Sequence, residues 1–231
     1  MSTGAAFFDL DRTILAGASG PVISEAMREE GIGGKSVPGE KLLFGLFNLL
    51  GETRPTMELA RLGANLVKGR SRAAVQAAAV VAADRLVELV QPFAPALFEE
   101  HREAGRALVM ATTTPYDLVV PLARRLGFDD VVATRYGVND DGTYDGTIAG
   151  PFVWSTGKLV AVQEWSDAHG IDLDESYAYS DSWYDSPLLS AVGHPFAVNP
   201  DPRLALRAAA RRWPTLNLDV PPGGAKVPVM G

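Results

Sequence analysis

One short stretch constrains the fold more than any other: residues 5–15, AAFFDLDRTIL. Four apolar residues run into Asp9, with Asp11 and Thr13 following at alternate positions. An apolar run this short, closed by polar residues, predicts a strand buried on both faces, as in a parallel sheet. The C-terminal end of such a strand is where an open α/β sheet places its ligand crevice. Ionised carboxylates there need a cation or hydrogen-bond donors to offset their desolvation. A calcium loop of the D-x-D-x-[DN]-G type fails, because Thr13 and Ile14 hold its fifth and sixth positions and Gly20 its twelfth. The fragment alone leaves two readings open: a catalytic or metal-binding strand end, and an ordinary strand end followed by a polar loop.

The rest of the chain alternates in a telling way. Helical patterns dominate after Leu15: 21–30 closed by Gly31, a loop at 33–39, the strongly apolar 41–50, an amphipathic 57–68, and an Ala-rich helix that Ser71 can cap, ending before Pro92. No β-alternating segment interrupts them, so this region reads as a helical insertion. From Pro92 strands and helices alternate. Strands are predicted at 107–111, 131–133, 176–180 and 195–198, with helices at 94–104, 116–126 and 156–168 between them. Asn139-Asp140-Asp141-Gly142 marks a hairpin turn, and Asp201-Pro202 opens a last helix. The expectation is an α/β fold: a Rossmann-like, doubly wound parallel sheet of about five core strands, with an α-helical cap after strand 1 and a small β-hairpin. Residues 1–16 and 92–219 form the core, 17–91 the cap and 220–231 a Pro/Gly-rich tail.

Composition narrows the function classes. A chain of 231 residues with 47% apolar content suits one sizeable domain, or a core with an insertion. A net charge of −7 argues against a general nucleic-acid surface. There is no cysteine, which excludes thiolate metal sites and cysteine nucleophiles, and His101, His169 and His194 are scattered. No apolar run is long enough to span a bilayer, and no signal peptide is expected before the first strand; the default is a cytoplasmic protein.

Parallel strands end on the same side, so polar groups written far apart can converge: Asp9 and Asp11, Thr112, Lys158, and Asp181 with Asp185. One set of jobs needs these residue types together. A carboxylate can attack phosphorus, a second can exchange protons, and a hydroxyl and a lysine can hold the remaining oxygens. Hard oxygen ligands can hold Mg²⁺ against a phosphate.

These residues resemble the four motifs of the haloacid dehalogenase superfamily, in the branch similar to phosphoserine phosphatase. Asp9-Leu10-Asp11-Arg12-Thr13 matches DxDx[TV], Thr112 the strand-end Ser/Thr, Lys158 the lysine of the third motif, and Ser180 to Asp185 the acidic DxxxD. The resemblance implies a Mg²⁺-dependent phosphatase working through an aspartyl-phosphate. It makes Asp9 the nucleophile and Asp11 the general acid/base. Thr112, Thr113 and Lys158 become phosphate ligands, and Asp9, Asp11 (through its carbonyl) and Asp181 metal ligands. Thr13 and Asp185 become supports. In that branch a glutamate nine residues after the nucleophile contacts the amino group of phosphoserine; here the position is Ala18, which disfavours phosphoserine. Arg54 and Arg61 are candidates for a cap arginine. The expected substrate is a small organic or lipid-like phosphate monoester. Leu42 to Leu50 reads as cap core or, alternatively, as a greasy entrance or peripheral membrane contact. Trp183 and Tyr184 either pack or stack on a leaving group. A phosphotransferase or phosphomutase, and a non-catalytic phosphate- or lipid-binding module, are the competing functions. Oligomeric state is not readable.

Overall fold

The computed structural model describes residues 3–32, 61 and 63–217. The expectations for the loop at 33–39, for 41–50, for Arg54 and for the tail at 220–231 fall outside the described residues. Most of the helix expected at 57–68 does so too; its described part is helical at Gly63–Leu66 and then turns.

The opening apolar run forms β1 (Ala5–Phe8), buried along its whole length. Ala6 and Phe8 enter the buried cluster on one face of the sheet, and Ala5 and Phe7 the cluster on the other. That is the alternation a pleated strand imposes, and two-sided burial explains why every position is apolar. The chain continues through α1 (Gly20–Glu29), α2 (Arg72–Val87), α3 (Ala94–Glu103), β2 (Ala107–Thr112), α4 (Tyr116–Arg125) and β3 (Asp130–Ala133). The hairpin β4 (Arg135–Val138) and β5 (Tyr144–Ala149) follows. Then come α5 (Thr156–His169), β6 (Tyr177–Ser180), β7 (His194–Val198), α6 (Pro202–Arg211) and β8 (Thr215–Leu216).

The main sheet has six strands in the order β3-β2-β1-β6-β7-β8, all parallel. Residues of α1 to α4 (Ile23, Ala83, Phe98, Leu122) join the cluster on one face, and residues of α5 and α6 (Val162, Leu204) the other. The fold is therefore doubly wound, and its strand order reverses between β1 and β6. A crevice opens at the carboxyl ends of strands at such a point. The five expected core strands are all present, and β8 adds a sixth at the edge. β8 is two residues long, sits on the edge after Pro214 and is only partly buried, so it has no periodic signal.

Local sequence explains the helix ends. The Ser71 side chain accepts the Ala74 N–H at the start of α2, and Asp201 accepts the N–H groups of Arg203 and Leu204 ahead of Pro202 in α6. The buried stripe of α2 is Val75, Ala78, Ala79, Ala82, Ala83 and Leu86, small side chains that let it lie close against α1 and α4. The chain leaves β1 and returns from α2 side by side. Ala16 N–H donates to the Leu89 carbonyl, and Gln91 N–H to that of Ile14, each at 2.8 Å.

Beneath β1 and β6 lies an aromatic cluster. Phe8 stacks on Tyr179 at 4.6 Å and meets Phe98 and Phe128 edge-on, contacts worth about 0.5–1.5 kcal/mol each beyond their burial. His101 is fully buried within it. Arg106 can only donate, and its Nε–H reaches His101 Nδ1 at 2.8 Å, so the imidazole proton sits on Nε2 and is donated to the Tyr179 hydroxyl at 2.9 Å. Burial, helped by the Arg106 charge, lowers the His101 pKa to about 4. The unfolded chain therefore takes up a proton on this ring at higher pH than the folded one. Its contribution to stability is complete above the ordinary histidine pKa of 6.5 and is lost as the pH falls towards 4. Urea unfolding between those limits is expected to lose about 3 kcal/mol from this group. His101→Gln, with no proton to gain, should lack that share of the slope.

Candidate active site

The ladder between β1 and β6 runs one residue past β1, since Asp9 N–H donates to the Tyr179 carbonyl at 3.0 Å. Asp9 is thereby held at the point where the strand order reverses, and its side chain is nearly buried. The chain then makes a wide turn over Leu10–Ile14, closed by Leu15 N–H on the Leu10 carbonyl. Leu10 and Ile14 are pinned in the core, while Arg12 takes a left-handed φ of +59°. Such backbone costs of order 1–3 kcal/mol in a non-glycine residue and is kept where its surroundings hold it.

Lys158, in the first turn of α5, is the centre of the site's electrostatics. It is fully buried, with Nζ 2.8 Å from Asp9 Oδ1 and 2.6 Å from Asp185 Oδ2. Asp185 Oδ2 also accepts the Ser180 hydroxyl at 2.7 Å, whereas its Oδ1 is buried with no hydrogen-bond partner. Asp181 follows directly after β6. Its N–H donates to Thr13 Oγ1 at 3.0 Å, which ties the loop after β1 to the loop after β6. Its carboxylate pairs with Arg12 Nε at 3.2 Å, without an aligned hydrogen bond from that nitrogen.

Asp11 faces a different set of donors. Its Oδ1 accepts the Ser19 N–H at 2.5 Å, and its Oδ2 the Thr114 hydroxyl at the longer distance of 3.5 Å. Burial pushes its carboxyl above the usual range, outweighing the hydrogen bonds from Ser19 and the nearby charges of Arg12 and Lys158. A carboxyl raised in this way holds its proton closer to neutrality, as a proton donor needs. The Ser19 side chain is among the influences lowering that pKa. Ser19→Ala should therefore raise it further, which an NMR titration of the Asp11 carboxyl checks.

Asp9, Asp11, Thr13, Thr112, Thr113, Lys158, Asp181 and Asp185 all lie at this end of the sheet. Thr112 ends β2, is buried, and accepts the Thr114 N–H at 3.2 Å; Thr113, next to it, is partly exposed. Lys158 touches both Asp9 and Asp185; Asp11 and Asp181 stand in the adjoining loops with their own partners. Ser19, Thr114 and Ser180 were not legible as site residues. Hydroxyls are common at turns, and the Thr114–Asp11 contact spans 103 residues of sequence. Arg61 lies over the Phe152 ring at 5.3 Å.

Four carboxylates against one lysine and one arginine leave the cluster negative before any substrate arrives. The donor set is all hard oxygen, and Asp185 Oδ1 is a spare buried acceptor, a fit for Mg²⁺ and its waters rather than for a thiolate- or imidazole-seeking metal. Among the described residues no three His, Cys, Asp or Glu side chains form a metal-binding group.

Displacement at phosphorus is the chemistry open to these groups on this sheet, and the class is that of phosphohydrolases on a Rossmann-like core. A family model of haloacid dehalogenase-like hydrolases matches residues 6–190, and the chain belongs to that family, as a phosphatase within it. It is 37% identical to an inhibition of morphological differentiation protein of Streptomyces azureus, over 94% of this chain and 79% of that one. A phosphoserine phosphatase of Mycobacterium tuberculosis is 33% identical over 91% of this chain and 70% of its own length. Among solved structures, a Bordetella pertussis protein of unknown function matches with a TM-score of 0.81 and 29% identity, covering 94% of this chain and all of that one.

Proposed function

We propose that the protein is a Mg²⁺-dependent phosphomonoesterase that works through an aspartyl-phosphate on Asp9, with a small organic phosphate as substrate. The observation that carries this reading is Lys158, fully buried and clamped between Asp9 and Asp185 where the strand order reverses. A lysine in that position keeps Asp9 ionised, and so able to attack, while leaving it close to a cation that a phosphoryl oxygen can share. In the first step a carboxylate oxygen of Asp9 forms a bond to phosphorus as the ester oxygen leaves. The proton of Asp11 goes to that oxygen. In the second step Asp11, now ionised, takes a proton from water, the water oxygen bonds to phosphorus, and the Asp9 acyl–oxygen bond to phosphorus breaks to release phosphate.

Thr112, Thr113 and Lys158 bind the non-bridging oxygens, and Thr13 braces the two acidic loops against each other. Asp9, Asp181 and the main-chain carbonyl of Asp11 would hold Mg²⁺, which supplies positive charge against the phosphoryl oxygens when bound. The paired exit and return of the chain at 14–16 and 89–91 supports reading 17–91 as an insertion over the site, with α1 and α2 as its seat on the core.

Phosphoserine is disfavoured, although one relative carries that substrate in its name. Ala18 offers no carboxylate to an ammonium group, and the neighbouring Ser19 is turned to Asp11. The test is phosphate release from p-nitrophenyl phosphate with and without a chelator, followed by a screen of phosphoserine, glycerol phosphates and lysophosphatidic acid. Chelation should abolish turnover and added Mg²⁺ restore it. Turnover that persists without metal, or a phosphoserine rate above all the others, would overturn the corresponding part of the reading. No described helix is long and apolar enough to cross a membrane.

A further inference from the structure

The two aromatic residues inside the acidic loop after β6 differ in the rings and clusters they meet. Trp183 packs with the buried cluster under α6, with the guanidinium groups of Arg203 and Arg207 at 4.7 and 5.4 Å from its ring. Tyr184 shares Arg203, whose guanidinium is 5.7 Å from its ring, and also meets Trp154, with ring centroids 4.7 Å apart and planes inclined by 38°. Trp154 stands in the loop entering α5, four residues before Lys158; Tyr184 stands between Asp181 and Asp185. The ring pair thus bridges the two loops whose polar groups meet at Lys158, and both rings are half-buried.

The loop that presents Trp154 is wound at some cost. Ser155 has φ +54° and ψ −124°, a region that L residues rarely occupy, and its side chain makes no capping bond to α5. Gly157 has no room for a side chain, because a Cβ there would lie 2.1 Å from the Phe152 carbonyl oxygen. Three backbone bonds lock the turn: Trp154 N–H to the Phe152 carbonyl, Gly157 N–H to that of Trp154, and Lys158 N–H to that of Ser155. Starting a helix requires none of this, since an extended Ser can cap one directly. Strain held in place by its surroundings is a pointer to function. This turn carries Trp154, whose indole lies against Tyr184.

We infer that the Trp154–Tyr184 pair is the wall against which the enzyme seats a planar, aromatic leaving group while its phosphate lies at Asp9 and Lys158. The inference rests on the phosphatase reading and makes these two residues specificity determinants within it. Stacking against such a wall is worth about 0.5–1.5 kcal/mol, a factor of roughly 2 to 12 in kcat/KM.

The test compares phenyl phosphate with glycerol 2-phosphate. Because aryl esters are intrinsically more reactive, the readout is how each variant changes the aryl-over-alkyl ratio of kcat/KM. Trp154→Ala and Tyr184→Leu should lower that ratio about 3- to 10-fold, with Trp154→Phe recovering most of it. Ser155→Gly keeps both rings but frees the turn, and should lower the ratio while raising the melting temperature. In the wild type, phenylphosphonate should compete more tightly than methylphosphonate, a measurement that needs no variant to fold. Ratios unchanged in every variant, or equal inhibition by the two phosphonates, would overturn the wall while leaving the phosphatase reading intact. A greater loss on phosphocholine than on phenyl phosphate would overturn it too, in favour of a cation-binding cage. Absence of turnover on every monoester in the wild type would instead remove the phosphatase reading beneath it.

Discussion

Asp9→Asn is expected to reduce phosphate release from p-nitrophenyl phosphate by about 10⁴-fold or more, the scale on which loss of a nucleophile registers. The same variant should fold as well as the wild type. An asparagine carbonyl can still accept from Lys158 Nζ, now 2.8 Å from Asp9 Oδ1, and Asp185 at 2.6 Å remains as counter-ion. Two buried carboxylates around one lysine become one, so the local charge balances better than before. Chemical denaturation and circular dichroism check the second half, and phosphate release with excess Mg²⁺ the first. Wild-type turnover by Asp9→Asn would end the assignment of the nucleophile. Equal losses of activity and of folded protein would show only that Asp9 is structural.

Lys158→Met should behave in the opposite way, losing both function and stability. The substitution nearly conserves volume, yet it leaves Asp9 and Asp185 facing each other without their cation. Removing one member of a buried ion pair costs about 3–5 kcal/mol. Lys158→Arg should not rescue it, because a planar guanidinium cannot reproduce the geometry of a fully buried ammonium held between two carboxylates. Adding Asp185→Asn to Lys158→Met should return part of the stability and none of the activity, which separates charge from packing. If Lys158→Met unfolds at the wild-type urea midpoint, the buried cluster does not work as described.

The positions of β1 and of the acidic residues after it were legible because so few structural roles suit carboxylates there. A strand of four apolar residues that ends in Asp-x-Asp puts ionised groups where packing alone would exclude them. Asp181 and Asp185 after β6 repeat the pattern, and Lys158 stood out only once it was registered against both. Nothing comparable marked Ser19, Thr114 or Ser180. A serine at a helix start or a threonine before a proline is ordinary turn chemistry, and only the folded chain brings them to Asp11 and Asp185. The edge strand β8 was missed for want of length. That Tyr184 and not Trp183 meets Trp154 was illegible on different grounds: two adjacent aromatic residues can be told apart only by what each one finds in the folded chain.

The placement of β1 bears on how the protein is made. Its partners are β2 and β6, pairing Ala5 with Ala107 and Ala6 with Tyr177. β1 is made before both of its partners, and waits about a hundred residues of chain for one and about a hundred and seventy for the other. Such long-range pairing is slow and leaves apolar edges open to other chains in the meantime. Yield on overexpression should therefore respond to slower translation, lower temperature or a holding chaperone more than to gains in the stability of the finished molecule.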